Sequence, residues 1–96
     1  MAIAVLYEIP GMSQAQYDKI IELLQRGGIR AQGRTYHVAG PTEGGFRVLD
    51  VFDSQGAFDA FVQEKLGPIM QEAQVPPPQI QAWPIHNMLT GTDHHL

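Results

Sequence analysis

Two segments of this chain are apolar on both alternations, and that pattern restricts the fold more than any other. Ala2 to Tyr7 (AIAVLY) is apolar at six consecutive positions, and Phe46 to Phe52 (FRVLDVF) carries Phe46, Val48 and Phe52 on one side with Leu49 and Val51 on the other. A strand with one face in water alternates apolar and polar, so segments of this kind need cover on both faces. The chain has 96 residues. A domain of that size buries only about two-thirds of the surface its unfolded chain exposes, and it has no third layer to offer. The second face is therefore expected to meet another copy of the chain, giving a homodimer that buries the helix-free side of the sheet.

Punctuation sets the order of elements. Ala2 to Ile9 reads as a strand that stops at the Pro10-Gly11 turn signal. Ser13 and Gln16 have capping-box spacing, and Tyr17, Ile20, Ile21 and Leu24 follow on one helical face up to Gly27-Gly28. Thr35 to Ala39 and Phe46 to Phe52 read as two strands of a hairpin, joined through Gly40 to Gly45. Ser54 caps a second helix carrying Phe58, Phe61, Val62, Leu66, Ile69 and Met70, with a kink or break expected at Gly67-Pro68 and an end at Pro76-Pro77-Pro78. Gln79 to Met88 is the last strand. Pro84 confines that strand to an edge, so the first and third strands are expected at the centre and the second and fourth outside. The order is βαββαβ, a split βαβ arrangement. One domain is expected over residues 1–89, followed by a flexible tail over 90–96.

Composition excludes several classes of function. Six Lys and Arg against ten Asp and Glu give a net charge of −4, which argues against nucleic-acid or anionic-membrane binding. The absence of cysteine removes disulfides, thiolate metal sites and cysteine nucleophiles. The longest apolar run is far shorter than the roughly 20 residues of a membrane span, so a cytoplasmic protein is expected. Gly27-Gly28 and Gly44-Gly45 match no phosphate-binding or dinucleotide loop, and neither a G-x-S-x-G elbow nor an H-E-x-x-H helix occurs. Asp93-His94-His95, with His86, invites a metal reading, but a short polar tail lacks the rigid geometry of a structural site. No metal and no other cofactor is expected.

The βαββαβ order, the doubly apolar sheet and the runs His37-Val38-Ala39-Gly40-Pro41 and Gly44-Gly45-Phe46-Arg47-Val48-Leu49-Asp50-Val51-Phe52-Asp53-Ser54 resemble the dimeric α+β-barrel superfamily, in particular its antibiotic-biosynthesis-monooxygenase-like members. The resemblance covers residues 2–88. It implies an α+β, ferredoxin-like protomer, with a four-stranded antiparallel sheet, two helices on one face and a second protomer against the other. It also implies a small, mostly apolar pocket between sheet and helices or at the barrel mouth. Members of the superfamily include cofactor-independent oxygenases of phenolic polyketides, haem-degrading enzymes, small isomerases and proteins of no known activity, so the likeness carries the fold further than any one reaction. No residue set here matches that of the haem-degrading branch.

Asp50 is the polar residue that interrupts the third strand. With Leu49 and Val51 assigned to the helix-covered side, Phe46, Val48, Asp50 and Phe52 point into the presumed barrel, where a charge at Val48 would be desolvated against the partner. A Pro41–Gly44 loop sets Gly40 opposite Gly45, His37 opposite Val48 and Thr35 opposite Asp50. His37 is then diagonal to Asp50, about 7–8 Å away between backbones and within side-chain reach. Such a pair suits a general base, His37, oriented by a carboxylate, Asp50. Tyr36 or Arg47 would stabilise developing negative charge, with these two and Thr35 as alternative donors to Asp50. Tyr7, Tyr36, Arg47, Phe52 and Trp83 are the expected substrate-binding residues, although the aromatics also suit a core and Arg47 a surface ion pair. Two functions fit. One is a cofactor-independent monooxygenase or isomerase acting on a small aromatic or carbonyl compound. The other is a non-catalytic dimer that binds a small apolar ligand or serves a structural role.

Overall fold

The computed structural model describes residues 1–26, 33–89 and 91. Strand β1 (Ile3–Pro10), helix α1 (Gln14–Arg26), strands β2 (Arg34–Thr42) and β3 (Gly45–Phe52), helix α2 (Gln55–Phe61), a π-helical turn (Val62–Leu66), helix α3 (Gly67–Ala73) and strand β4 (Gln79–Pro84) follow in that order. They build one antiparallel sheet of order β2-β3-β1-β4. The architecture is the ferredoxin-like α+β fold. Pro41 and Pro84 both fall in edge strands, where a missing N–H need not break a ladder.

Both helical segments begin on serine. Ser13 and Gln16 form a reciprocal capping box, with the Gln16 N–H donating to Ser13 Oγ at 3.1 Å and the Ser13 N–H to Gln16 Oε1 at 2.8 Å. Ser54 Oγ accepts from the Ala57 N–H at 3.1 Å. Of the kink or break expected at Gly67-Pro68, the structure shows a local irregularity, a π-helical turn between two α-helices, and not an interruption of helical structure. Pro68 cannot donate, and the chain accommodates it by widening the preceding turn, where the Gly67 N–H reaches the Val62 carbonyl. Helical structure then continues to Ala73 and ends at Gln74 in the left-handed conformation, φ 54°.

The two faces of the sheet are the reverse of the sequence expectation. Ile3, Val5, Tyr7 and Ile9 of β1, with Phe46, Val48 and Phe52 of β3, lie under the helices and pack on Ile20, Leu24, Phe58 and Phe61. Ala4, Leu6, Leu49 and Val51 belong to the helix-free face, at whose end Glu8 and Arg47 form an ion pair. That pair supplies the physical reason, since a helix layer over this row would have desolvated both charges. Val48 consequently lies inside the protomer, and a charge there would disrupt the core rather than a subunit contact. On the helix-free face Tyr36, Val38, Leu49 and Trp83 are exposed, Val38 to 60 %.

The hairpin also differs from expectation. β2 runs to Thr42, which pairs with Gly45, so the loop is only Glu43-Gly44, with Gly44 at φ 82°. The pairing moves by two positions, an even number, and every side chain keeps its face. His37 therefore stands directly opposite Asp50 rather than diagonal to it. Thr35 falls at a β-bulge between Arg34 and Tyr36, and its hydroxyl donates to the Val51 carbonyl at 3.4 Å instead of facing Asp50. Gly45 has no room for a side chain, because a Cβ would lie 2.5 Å from the Ile9 carbonyl oxygen. β4 stops at Pro84, short of the expected Met88, and the Ile85 N–H adds one further bond to the Ala2 carbonyl at 2.9 Å. The expected helix stop at Gly27-Gly28 lies outside the described residues, as does the tail over 90–96 apart from Gly91, with its Asp93-His94-His95 run.

Candidate functional site

Directly opposed residues of an antiparallel pair hold their Cβ atoms about 5 Å apart, close enough for an imidazole and a carboxylate to meet. His37 Nδ1 and Asp50 Oδ1 are 2.6 Å apart. Asp50 is 2 % exposed, and a charge so deep must be paired or hydrogen-bonded. A second contact comes from Arg34, whose Nη1 lies 3.9 Å from Asp50 Oδ2 while its guanidinium sits over the Phe61 ring, 5.6 Å from the centroid.

On its other side His37 meets α1. Tyr17 Oη and His37 Nε2 are 2.6 Å apart. The capping box starts α1 so that Tyr17, in its first turn, faces the sheet. There the Tyr17 ring stacks on Phe46 with centroids 5.0 Å apart and lies nearly parallel to the His37 ring. For the neutral imidazole the partners select one tautomer. An ionised carboxylate only accepts, so Nδ1 carries the hydrogen and Nε2 of the neutral ring accepts from the Tyr17 hydroxyl. Burial and the Asp50 and Asp18 charges raise the Tyr17 pKa against the lowering effect of Arg34, which keeps its hydroxyl protonated at neutral pH.

This chain of groups borders a narrow cleft between the sheet and the helices, with a cavity volume of about 40 Å³. Tyr17, His37, Asp50, Arg34 and Tyr7 line it on one side, and Ile9, Met12, Ile20, Leu24, Met70 and Pro78 are among its apolar walls. The Tyr7 hydroxyl is buried, and among the described residues no partner meets full hydrogen-bond geometry, although Asp50 acts on it both as a charge and as a hydrogen-bond acceptor. Desolvation, reinforced by the Asp50 charge, raises its pKa far above the usual phenol range. A mostly apolar pocket with a few convergent polar groups is the usual form of a small-molecule site.

Many solved structures share this architecture at low sequence identity, among them the following three. SnoaB, a cofactor-independent oxygenase from Streptomyces nogalater, is 13 % identical at a TM-score of 0.64, over 92 % of this chain and 95 % of its own. A protein from Chloroflexus aurantiacus, provisionally named an antibiotic biosynthesis monooxygenase, is 13 % identical at a TM-score of 0.64, over 95 % of this chain and 100 % of its own. Rv0793 from Mycobacterium tuberculosis is 12 % identical at a TM-score of 0.70, over 94 % of this chain and 100 % of its own. The fold is that of antibiotic-biosynthesis-monooxygenase-like proteins. No family model and no curated protein matches the sequence.

Within this fold, the residues singled out from the sequence separate into two groups. His37, Asp50 and Tyr7 border the cleft. Phe52 shares their face but is fully buried against Phe58 and Phe61, as a core residue and not a wall of the cleft. Tyr36, Arg47 and Trp83 lie across the sheet on the helix-free face, where they cannot touch a ligand in this cleft, and Arg47 is engaged by Glu8. Sequence reasoning missed Tyr17 and Arg34. In the sequence Tyr17 is one more member of the apolar helix stripe, although it alone in that stripe carries a hydroxyl to aim at the sheet. Arg34 gave no signal, because it sits in a polar stretch without periodicity.

Proposed function

We propose that the chain acts as a homodimeric, cofactor-independent enzyme that removes a proton from a small aromatic or carbonyl compound held in the cleft. The observation that carries this reading is the series Tyr17–His37–Asp50, joined by two 2.6 Å contacts and opening on an apolar cavity. The proton ends on His37, and Asp50 holds the ring in the required tautomer and steadies the imidazolium that forms. Proton removal leaves an electron-rich phenolate or enolate in a site of low polarity. Its onward reaction with O₂ gives a monooxygenase outcome, and return of the proton at another carbon gives an isomerase outcome. The likeness to SnoaB supports the first of these through the fold alone.

The dimer rests on a different observation. Val38, Leu49 and Leu6 form an apolar row across the helix-free face, flanked by Tyr36, Val51, Ala4 and Trp83. Such a continuous patch suits a second copy of the same face.

The test of the catalytic reading is hydrogen exchange of an acidic C–H compound, a 1,3-dicarbonyl, in D₂O, followed by NMR. Exchange should be faster with the wild-type protein than in buffer and should fall to the buffer rate in His37→Gln. No acceleration by the folded wild-type protein over a panel of such compounds and phenols would leave the non-catalytic binding reading in its place.

A further inference from the structure

Both ring nitrogens of His37 are already engaged, Nδ1 by Asp50 and Nε2 by Tyr17. A ligand in the cleft therefore finds no free nitrogen on the residue that is to receive its proton. Tyr17 stands between them. Its ring also borders a groove on the outer side of α1, next to Asp18, Ile21 and Gln25, so it lies where the cleft meets the surface.

From this geometry we infer that Tyr17, not His37, is the catalytic residue that touches the ligand, and that it relays the ligand's proton to His37. The inference rests on the proton-abstraction reading above and specifies how that reading operates. The Tyr17 oxygen donates its own hydrogen to Nε2 and keeps a lone pair, so it can accept a hydrogen from an acidic X–H group. In the transfer the ligand X–H bond breaks and a new Tyr17 O–H bond forms. At the same time the old Tyr17 O–H bond breaks and an Nε2–H bond forms. The products are the ligand anion, a neutral tyrosine and an imidazolium beside the Asp50 carboxylate. No electron leaves the system, and no oxidant or co-reactant is needed for this step.

The stacking on Phe46 holds the phenol ring where the relay needs it. Tyr17 is suited to the part because it stays protonated at neutral pH and so always has a hydrogen to pass on. The ligand should carry its acidic hydrogen at one end of an otherwise apolar body, since the far walls of the cleft offer Ile9, Met12, Ile20 and Leu24. The same end would present an acceptor to the buried Tyr7 hydroxyl, which also lines the cleft. One hydroxyl on an apolar ring satisfies both demands.

The probe is 4-nitrophenol, whose ionisation is visible, added to protein at a pH well below the pKa of the free phenol. Binding is followed separately through chemical-shift changes of the cleft methyl groups. Wild type should bind the probe and generate the yellow phenolate band. Tyr17→Phe, which keeps the ring and its stacking, should bind it with the band lost, and His37→Gln should do the same. A band that survives undiminished in Tyr17→Phe but disappears in His37→Gln would overturn the relay and leave His37 in direct contact with the ligand. A wild-type protein that fails to bind the probe, or binds it without any band, would overturn the proton-abstraction reading itself. A second readout needs no ligand. Imidazole ¹⁵N shifts of wild type should report a single Nδ1–H tautomer with Nε2 hydrogen-bonded, and Tyr17→Phe should lose the hydrogen-bond signature at Nε2. An unchanged Nε2 signal would again overturn the relay.

Discussion

Leu49 and Asp50 are consecutive residues of β3 that stand on opposite faces of the sheet, Leu49 37 % exposed on the helix-free side and Asp50 2 % exposed beneath the helices. One peptide bond thus separates the surface proposed for assembly from the site proposed for chemistry. The two can be perturbed independently, and the predictions use that separation.

Leu49→Lys should leave the protomer folded, because the new charge lies at a solvent-accessible position within the single chain, where surface substitutions change stability by only about 0.5 kcal/mol. In a dimer the same charge is desolvated at the centre of the interface, and light scattering should report the mass of one chain instead of two. Val48→Asp should behave differently and unfold the chain, since Val48 is in the helix–sheet core. A Leu49→Lys protein that remains dimeric would show that the helix-free face is not the interface.

The sequence carried the element order, both serine caps and the placement of central and edge strands, because these rest on local chemistry: turn residues, caps and the missing N–H of proline. It did not carry the choice of face. Both rows of β3 are apolar, and the signal that separates them lies in two strands at once, in the pairing of Glu8 on β1 with Arg47 on β3. Placing the loop at Pro41–Gly44 also shifts the register by two positions, since an edge strand admits a proline that the local pattern takes for a stop. The meeting of His37 and Asp50 survived both errors because it depends only on their shared face. Tyr17 comes from a helix, and no strand register could have brought it to His37.

Tyr7→Phe should be neutral or stabilising by up to about 1 kcal/mol, because the hydroxyl it removes is buried and makes no hydrogen bond of full geometry among the described residues. Thermal melts at neutral pH would check this. A loss of several degrees would mean that the hydroxyl donates to an acceptor, Asp50, whose charge and hydrogen bonding both act on it.

Alkaline titration should separate the same two proteins. The folded pKa of Tyr7 lies above its unfolded value of 10.0, so the phenol holds its proton in the folded chain after losing it in the unfolded one. Its contribution to stability is complete below about pH 10 and diminishes by about 1.4 kcal/mol for each pH unit above it. Tyr17 adds a contribution of the same sign. Between about pH 10 and 11 the wild-type melting temperature should therefore fall more steeply than that of Tyr7→Phe, which has lost one of the two linked protons. Equal slopes would show that Tyr7 ionises as readily folded as unfolded.

Asp50 is the residue whose replacement should distinguish a structural pair from a working one. Asp50→Ala leaves the His37 Nδ1–H without its acceptor and Arg34 without its carboxylate, and it opens a small void beside Val5. The expected cost is about 1–3 kcal/mol, a drop in melting temperature of roughly 5–20 °C for a domain of this size. Asp50→Asn keeps the shape and an amide oxygen that can accept from Nδ1, but it removes the negative charge that steadies an imidazolium. It should melt within a few degrees of wild type, below it, while exchange of an acidic C–H falls by about 10²-fold or more. An Asn variant that melts near wild type and exchanges at the wild-type rate would show that the charge has no part in proton transfer, leaving His37 and Asp50 a buried polar contact that only satisfies itself.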